Sequence, residues 1–286
     1  MSKLLRGDFI RLFKSKVFWL GTIFMFGCAA YTVYSRWMTM QRFPDYYSSP
    51  DGVLFSGSEF IGIVIAVVMG IFIGTDYSHG TIRNKLAVGH SRVKMYFSNL
   101  IICIVASLLM YFAWLAAVIS GTILGFTGNF EMSAGNIAAE ILISVFAISA
   151  ISAVFLLISM LVTSRSAGVV TVMILSLVMF ISALMISSRL NESEYYDAYD
   201  YVITDSKGNT FEIHEDMQKN PYYLVGTKRR VYEILYDVLP NCQVRQLALG
   251  DGRLADNMKF FPLYSVSIII VATAAGVLMF RRKDMK

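Results

Sequence analysis

Charge is scarce in this sequence of 286 residues: 16% of it is Asp, Glu, Lys or Arg, where a soluble domain carries roughly 25%. That shortage argues against a soluble globular chain. Cysteine is scarcer still. Cys28 and Cys103 fall in apolar runs and Cys242 stands alone in a polar stretch, so no disulfide framework is readable. The three histidines, His79, His90 and His214, are far apart. No HExxH, paired-carboxylate or Ser–His arrangement accompanies them in the apolar runs, so no catalytic or metal-ligating residue is predicted. A GxxxxGK(S/T) loop is also missing, which excludes a P-loop ATPase within this chain. Zinc spacing and aromatic–basic stripes are absent, so the net charge of +5 does not point to nucleic acid.

What the sequence has in excess is apolar length. Apolar residues make up 56% of it, with a mean hydropathy of +0.58, and they are gathered into runs separated by short charged blocks. A helix crossing the hydrocarbon core needs about 20 apolar residues. Six spans are predicted, at 17–35, 59–75, 96–124, 137–163, 167–187 and 261–280. The third and fourth exceed one crossing and must tilt, kink or project. Pro262 stands where the sixth begins, a position that tolerates a missing N–H. Before the first span, residues 2–16 place Leu4, Leu5, Phe9, Leu12 and Phe13 at helical spacing among five basic residues. This segment reads as an interfacial helix leading into an uncleaved first span.

Orientation follows from charge. The side holding both termini and the second and fourth loops carries fourteen positive and three negative residues. The opposite side carries eleven positive and sixteen negative. The positive-inside rule therefore puts both termini in the cytoplasm of a multi-pass cell-membrane protein. The expected fold is an all-α polytopic membrane protein of six transmembrane helices, with a basic N-terminal interfacial helix and a small mixed α/β extracellular insert between helices five and six. Its parts are a membrane domain at 1–187, the insert at 188–260, and the sixth helix with its basic tail at 261–286. Within the insert, YVITDSKGNTFEI predicts a hairpin around Gly208–Asn209. A helix is predicted from Lys228 to Leu239, with Thr227 as its cap and Pro240 ending it. The insert's tyrosines supply either a small core or a surface resting on the membrane.

The cytoplasmic loop after the second span, GTDYSHGTIRNKLAVGHSRVKMYFSNL, is the most informative stretch. Thr81 is placed to cap a short helix with Ile82 and Leu86 on one face and Arg83, Asn84 and Lys85 elsewhere. Gly89 offers a left-handed exit, and Ser91 caps the next helix. Physics alone leaves two readings: a handle for a cytosolic partner whose groove takes Ile82 and Leu86, or a basic loop that only sets topology. In the second span, Gly62, Ala66, Gly70 and Gly74 recur every four residues, a stripe that lets helix backbones approach closely. It serves either packing within the chain or a dimer seam or substrate path. Glu59 and Glu140 lie near outer span ends and fit interfacial anchoring better than ion relay. Ser144, Ser149, Ser152 and Ser159 read as packing residues whose hydroxyls bond back to their own helix.

The loop pattern, with Asp76, Gly80, Thr81, Arg83, Leu86, Gly89, Ser91 and Arg92 at the matching positions, resembles the ABC-2-type transporter permeases. The similarity extends to the basic N-terminus, the six spans and the Arg281-Arg282-Lys283 tail, but not to the 188–260 insert. The resemblance implies a pair of permeases, either two copies or a copy and a paralogue, joined to two separate ATP-binding subunits among membrane lipids. ATP and Mg would sit on that partner, with no cofactor bound directly here. It further implies a loop helix that couples hydrolysis to the spans. The expected cargo is an exported amphipathic or hydrophobic compound such as a peptide, toxin, antibiotic or lipid-like molecule. The alternative is a non-transporting membrane sensor or assembly factor that uses the insert as its receptor. A secondary transporter should show paired mid-membrane charges or broken helices in repeated halves, and neither is visible.

Overall fold

Serine starts four of the long helices. In the computed structural model, the side chains of Ser15, Ser91, Ser133 and Ser164 accept hydrogen bonds from the backbone N–H three residues on, which satisfies one of the donors a helix start leaves free. The structure describes residues 1–43, 45–204, 210–250 and 257–283. A short helix α1 (Ser2–Lys14) precedes the first span, α2 (Lys16–Arg42). The second span joins a one-turn helix α3 (Asp51–Leu54) to α4 (Ser56–Ser78), and α5 (Thr81–Ala87) fills the following loop. Then come α6 (Arg92–Ile123), α7 (Ala134–Leu161) and α8 (Arg165–Leu190). After the insert, a 3-10 turn at Met258–Phe260 opens the last span, α11 (Phe261–Arg282). Six helices are long and apolar enough to cross a membrane, so the chain is an all-α polytopic membrane protein.

The spans α4, α6 and α7 are mostly buried and form the centre, while α2, α8 and α11 are mostly exposed. Each outer span packs chiefly on one central span: α11 on α7, α8 on α4, and α2 on α6. The outer faces present Leu20, Ile23, Ile174, Val178, Ile270 and Val271, which water would penalise and lipid does not. Helix α1 and the end of α11 lie at one end of this bundle, called here the termini side. The insert lies at the other.

The insert pairs β1 (Tyr195–Tyr196) with β4 (Gln218–Lys219), and β2 (Tyr199–Thr204) with β3 (Thr210–Glu215), both antiparallel. The Gly208–Asn209 turn lies outside the described residues. Helix α9 (Gly226–Val238) has Val225 at its cap position, so Thr227 lies inside the helix and does not cap it. Pro240 does end α9, but it also opens a further helix, α10 (Pro240–Leu249), at the first turn, where proline costs nothing. Leu224, Tyr232, Leu239, Tyr236 and Cys242 pack with Ala183, Ile186 and Leu190 of α8. The helical part of the insert therefore shares its core with a span, while Tyr195, Tyr196 and Tyr222 are exposed.

Candidate functional site

Leu4, Asp8 and Leu12 are all buried, one every four residues along α1 and hence on one face. A carboxylate in an apolar stripe needs partners, because burying an unpaired charge is prohibitive. Asp8 finds them across the termini side. Its Oδ1 takes a charge-assisted hydrogen bond from Lys85 Nζ of α5 at 2.7 Å, and its Oδ2 accepts from Ser98 Oγ of α6 at 2.7 Å. Asp76, buried at the end of α4, pairs with Arg11 of α1 and lies 3.8 Å from Lys85 Nζ. Arg11 also stands 3.8 Å from Asp8 and 4.0 Å from the centre of the Phe72 ring. Two carboxylates and two cations thus cancel in one buried cluster that ties α1, α4, α5 and α6 together. Burial lowers the Arg11 guanidinium from its ordinary value, opposed by Asp8. Burial likewise lowers Lys85, opposed by its hydrogen bond to Asp8 and that carboxylate's charge, and reinforced by Arg11.

The loop residues fall into place around this cluster, with one correction, at the start of α5. Gly80, not Thr81, occupies the start of α5, with φ +65, and Thr81 makes no side-chain cap. The left-handed backbone of Gly80 would strain any residue that carries a β-carbon, although the space around it is open. Ile82 is buried and Leu86 is packed against the main core, so the apolar face of α5 is turned into this chain and not out to a groove elsewhere. The face left exposed consists of Arg83, Asn84, Ala87 and Val88, with Val88 79% exposed. Arg92 turns to the far end of the chain. Its Nη1 donates to the carbonyls of Phe280 at 3.3 Å and Arg281 at 2.8 Å, and also to that of Lys283. It thereby caps the end of α11, where free carbonyls and the helix dipole favour a cation. Gly89 leaves the loop at φ +90, and Ser91 caps α6. Lys283 reaches back to Met160 O at 2.8 Å and Tyr77 OH at 3.0 Å, and burial lowers its amine to about 8.

The small-residue stripe faces α8. A β-carbon on Gly70 would stand 3.0 Å from Val169 Cα, and one on Gly74 would stand 2.9 Å from Arg165 Cγ. Ala66 is fully buried, whereas Gly62 has only Ser176 Oγ at 4.0 Å. The close approach is therefore tightest toward the termini side and is made within this chain. In α7, Ser149 and Ser152 donate to the carbonyls four residues back, and Ser152 also meets Ser107 Oγ at 2.8 Å. Ser144 and Ser159 are also buried.

On the insert side, α10 is the unexpected element. It is polar, yet Asn241, Gln243 and Gln246 are buried among the span ends. Asn241 donates to Met179 O of α8, Gln243 to Asp237 O at 2.7 Å, and Gln246 to Tyr236 O at 2.8 Å. Ser265 Oγ of α11 donates to Gln243 Oε1 at 2.7 Å. Arg245 pairs with Glu59 of α4, and Ser58 donates to Val244 O at 3.2 Å. Asn241 and Val244 line a small enclosed pocket with Gly62, Ile151, Phe155 and Ser176, so α10 closes the space between α4, α7 and α8 from this side. Elsewhere an apolar groove of about 660 Å³ opens between α2, α4 and α6, walled by Phe24, Tyr31, Phe60 and Trp114.

Sequence reasoning missed Asp8, Arg11, Lys85 and Ser98, although a carboxylate midway between Leu4 and Leu12 was a signal. It missed α10 because Pro240 reads only as the end of α9, and the short apolar stripe of Val244 and Leu247 is interrupted by polar residues that are themselves buried. Compared with known families, residues 4–185 match the one described as ABC-2 family transporter protein. No curated protein matches the chain.

Proposed function

The chain belongs to the ABC-2 family of transporter proteins, a membrane transport component and not itself the ATPase, and on that premise we propose how it works. It is the permease subunit of an ABC exporter, paired with a second permease and driven by a separate subunit that binds ATP and Mg. The termini side faces the cytoplasm of the cell membrane, as its positive charge favours. The ATPase docks on α5 through Arg83, Asn84, Ala87 and Val88, and the buried cluster carries its displacement into α1, α4 and α6. The observation behind this reading is that α5 is a short helix with an exposed mixed face outside and an ionic tether to three other helices inside. Cargo is amphipathic or hydrophobic, in keeping with an aromatic-walled groove that offers few polar groups. Release on the far side requires α10 to move and the Glu59–Arg245 pair to open.

The test is co-purification in mild detergent, with the co-purifying ATP-binding protein identified by mass spectrometry. Truncating or charging a central contact typically costs 2 kcal/mol or more, about thirtyfold in affinity. Arg83→Glu with Val88→Asp should lose the ATPase while the permease keeps its elution profile and thermal stability. Full retention of the partner by that double variant would reject α5 as the docking element.

A further inference from the structure

Helix α9 has two faces with opposite solutions to burial. On one, Tyr236 is buried and its hydroxyl donates to Ser187 Oγ at 3.2 Å. Arg229 pairs with Glu233 at 3.1 Å and lies over Tyr223, and Asp237 accepts from Asn257 at 2.7 Å. The acidic groups of α9 are thus engaged with the protein. On the other face, Val231, Ile234 and Leu235 are 47%, 54% and 39% exposed. At 100° per residue these three and Val238 form one stripe, with Lys228 along one edge and Arg230 along the other. Both cations are exposed.

The stripe does not stop at the helix. Val238 lines a groove of about 390 Å³ together with Tyr264, Ile268 and Val271 of α11 and Leu157 of α7. Val271 is 68% exposed in the middle of a membrane span, so the groove opens onto hydrocarbon. An apolar stripe that runs unbroken into the lipid-facing wall of a span, edged by cations, has the composition of a helix lying in the membrane interface. We propose that α9 rests in the leaflet on the insert side, with Val231, Ile234 and Leu235 in the acyl boundary and Lys228 and Arg230 holding anionic phospholipid headgroups. The insert is then a lipid-contacting element whose seat, shared with α10 and the end of α8, depends on the charge of that leaflet. This holds whichever direction cargo moves.

The experiment uses the full chain in lipid nanodiscs. Cys28, the free cysteine that is not buried, is changed to Ser, and an environment-sensitive fluorophore is attached at Ile234→Cys. Phosphatidylglycerol and phosphatidylcholine, each carrying a nitroxide near the glycerol backbone, serve as quenchers. Quenching should appear with both, and phosphatidylglycerol should reach half-effect at roughly thirtyfold lower mole fraction, the gain expected for two cations at about 1 kcal/mol each at an anionic surface. Adding Lys228→Gln and Arg230→Gln should abolish that preference and leave the quenching itself. A fluorophore insensitive to either nitroxide would overturn the proposal, whether it is in water or is self-quenched against a second copy. Equal half-effects for the two lipids in the parent protein would overturn the headgroup contact.

Discussion

Replacing Lys85 by Met asks whether the buried cluster is one unit or a set of independent contacts. Lys85 Nζ lies 2.7 Å from Asp8 Oδ1 and 3.8 Å from Asp76 Oδ2, and its side chain is 15% exposed. Removing it leaves two buried carboxylates against one guanidinium. Breaking a buried pair costs about 3–5 kcal/mol, and the low end applies because Asp8 keeps Ser98 and Arg11. Asp8→Asn alone leaves Lys85 with Asp76 only and costs a similar amount. The double variant restores neutrality, so it should fall short of the two single losses added together by about 2 kcal/mol, within the range for residues in one network. Thermal unfolding in detergent measures this, at roughly 2 °C per kcal/mol for a large chain. The functional readout is separate: Lys85→Met should still bind the ATPase through the exposed face of α5, and the resulting complex should hydrolyse ATP without moving cargo in liposomes. Strict additivity of the two single variants, or unimpaired transport per ATP in Lys85→Met, would refute a cluster that acts as a tether.

The stripe in α4 makes a graded prediction. Gly70→Ala, whose β-carbon meets the Val169 backbone at 3.0 Å, should destabilise by about 1–3 kcal/mol through overpacking, while Gly62→Ala, with 4.0 Å to spare, should be neutral in the same unfolding assay. Topology is tested with single cysteines at the exposed positions Asn84 and Lys219 and an impermeant thiol reagent on intact cells. Labelling at Lys219→Cys and protection at Asn84→Cys are expected, and the reverse pattern would overturn the proposed orientation.

Hydropathy made the six spans legible because each is a long apolar run, and the helices found extend those runs by a few residues at most ends. The extensions are mixed segments such as Asp51–Ser58 and Trp37–Arg42, in which interspersed polar residues dilute the hydropathy although Val53, Leu54 and Phe55 are buried in the core. In the loop, the spacing of Ile82 and Leu86 did identify a helix with one apolar face. It could not say whether that face met this chain or another, because both give the same periodicity. The partner of Arg92 was not legible either. A cation at the start of α6 is unfavourable for its own helix, and only the fold brings it to the end of α11, 188 residues away. Helix α10 was illegible in principle. Its buried Asn241, Gln243 and Gln246 are tolerated because carbonyls meet their tips, Met179 O of α8 for Asn241 and Asp237 O and Tyr236 O of the preceding α9 for the two glutamines, and no apolar periodicity records such partners.

On the proposed reading α5 receives a push from the ATPase, and it is bounded by two tight turns and held at its middle. Gly80 and Gly89 bound it with backbone angles of +65 and +90, and a β-carbon at either would meet nothing within 4 Å. Glycine is therefore required there for the turn and not for space. Between those two turns the helix is held by Ile82, Leu86 and Lys85, three side chains on about one face. Apolar contacts of this kind slide, whereas a hydrogen-bonded ion pair fixes distance and direction. A push on the exposed face would thus be delivered through Lys85 to Asp8 and Asp76. Asp8 belongs to α1 and bonds to α6, and Asp76 ends α4, whose Gly70 and Gly74 lie against α8. From α5 the route to α8 crosses one ionic cluster and one backbone-to-backbone contact, the two kinds of joint in a membrane bundle with the least slack.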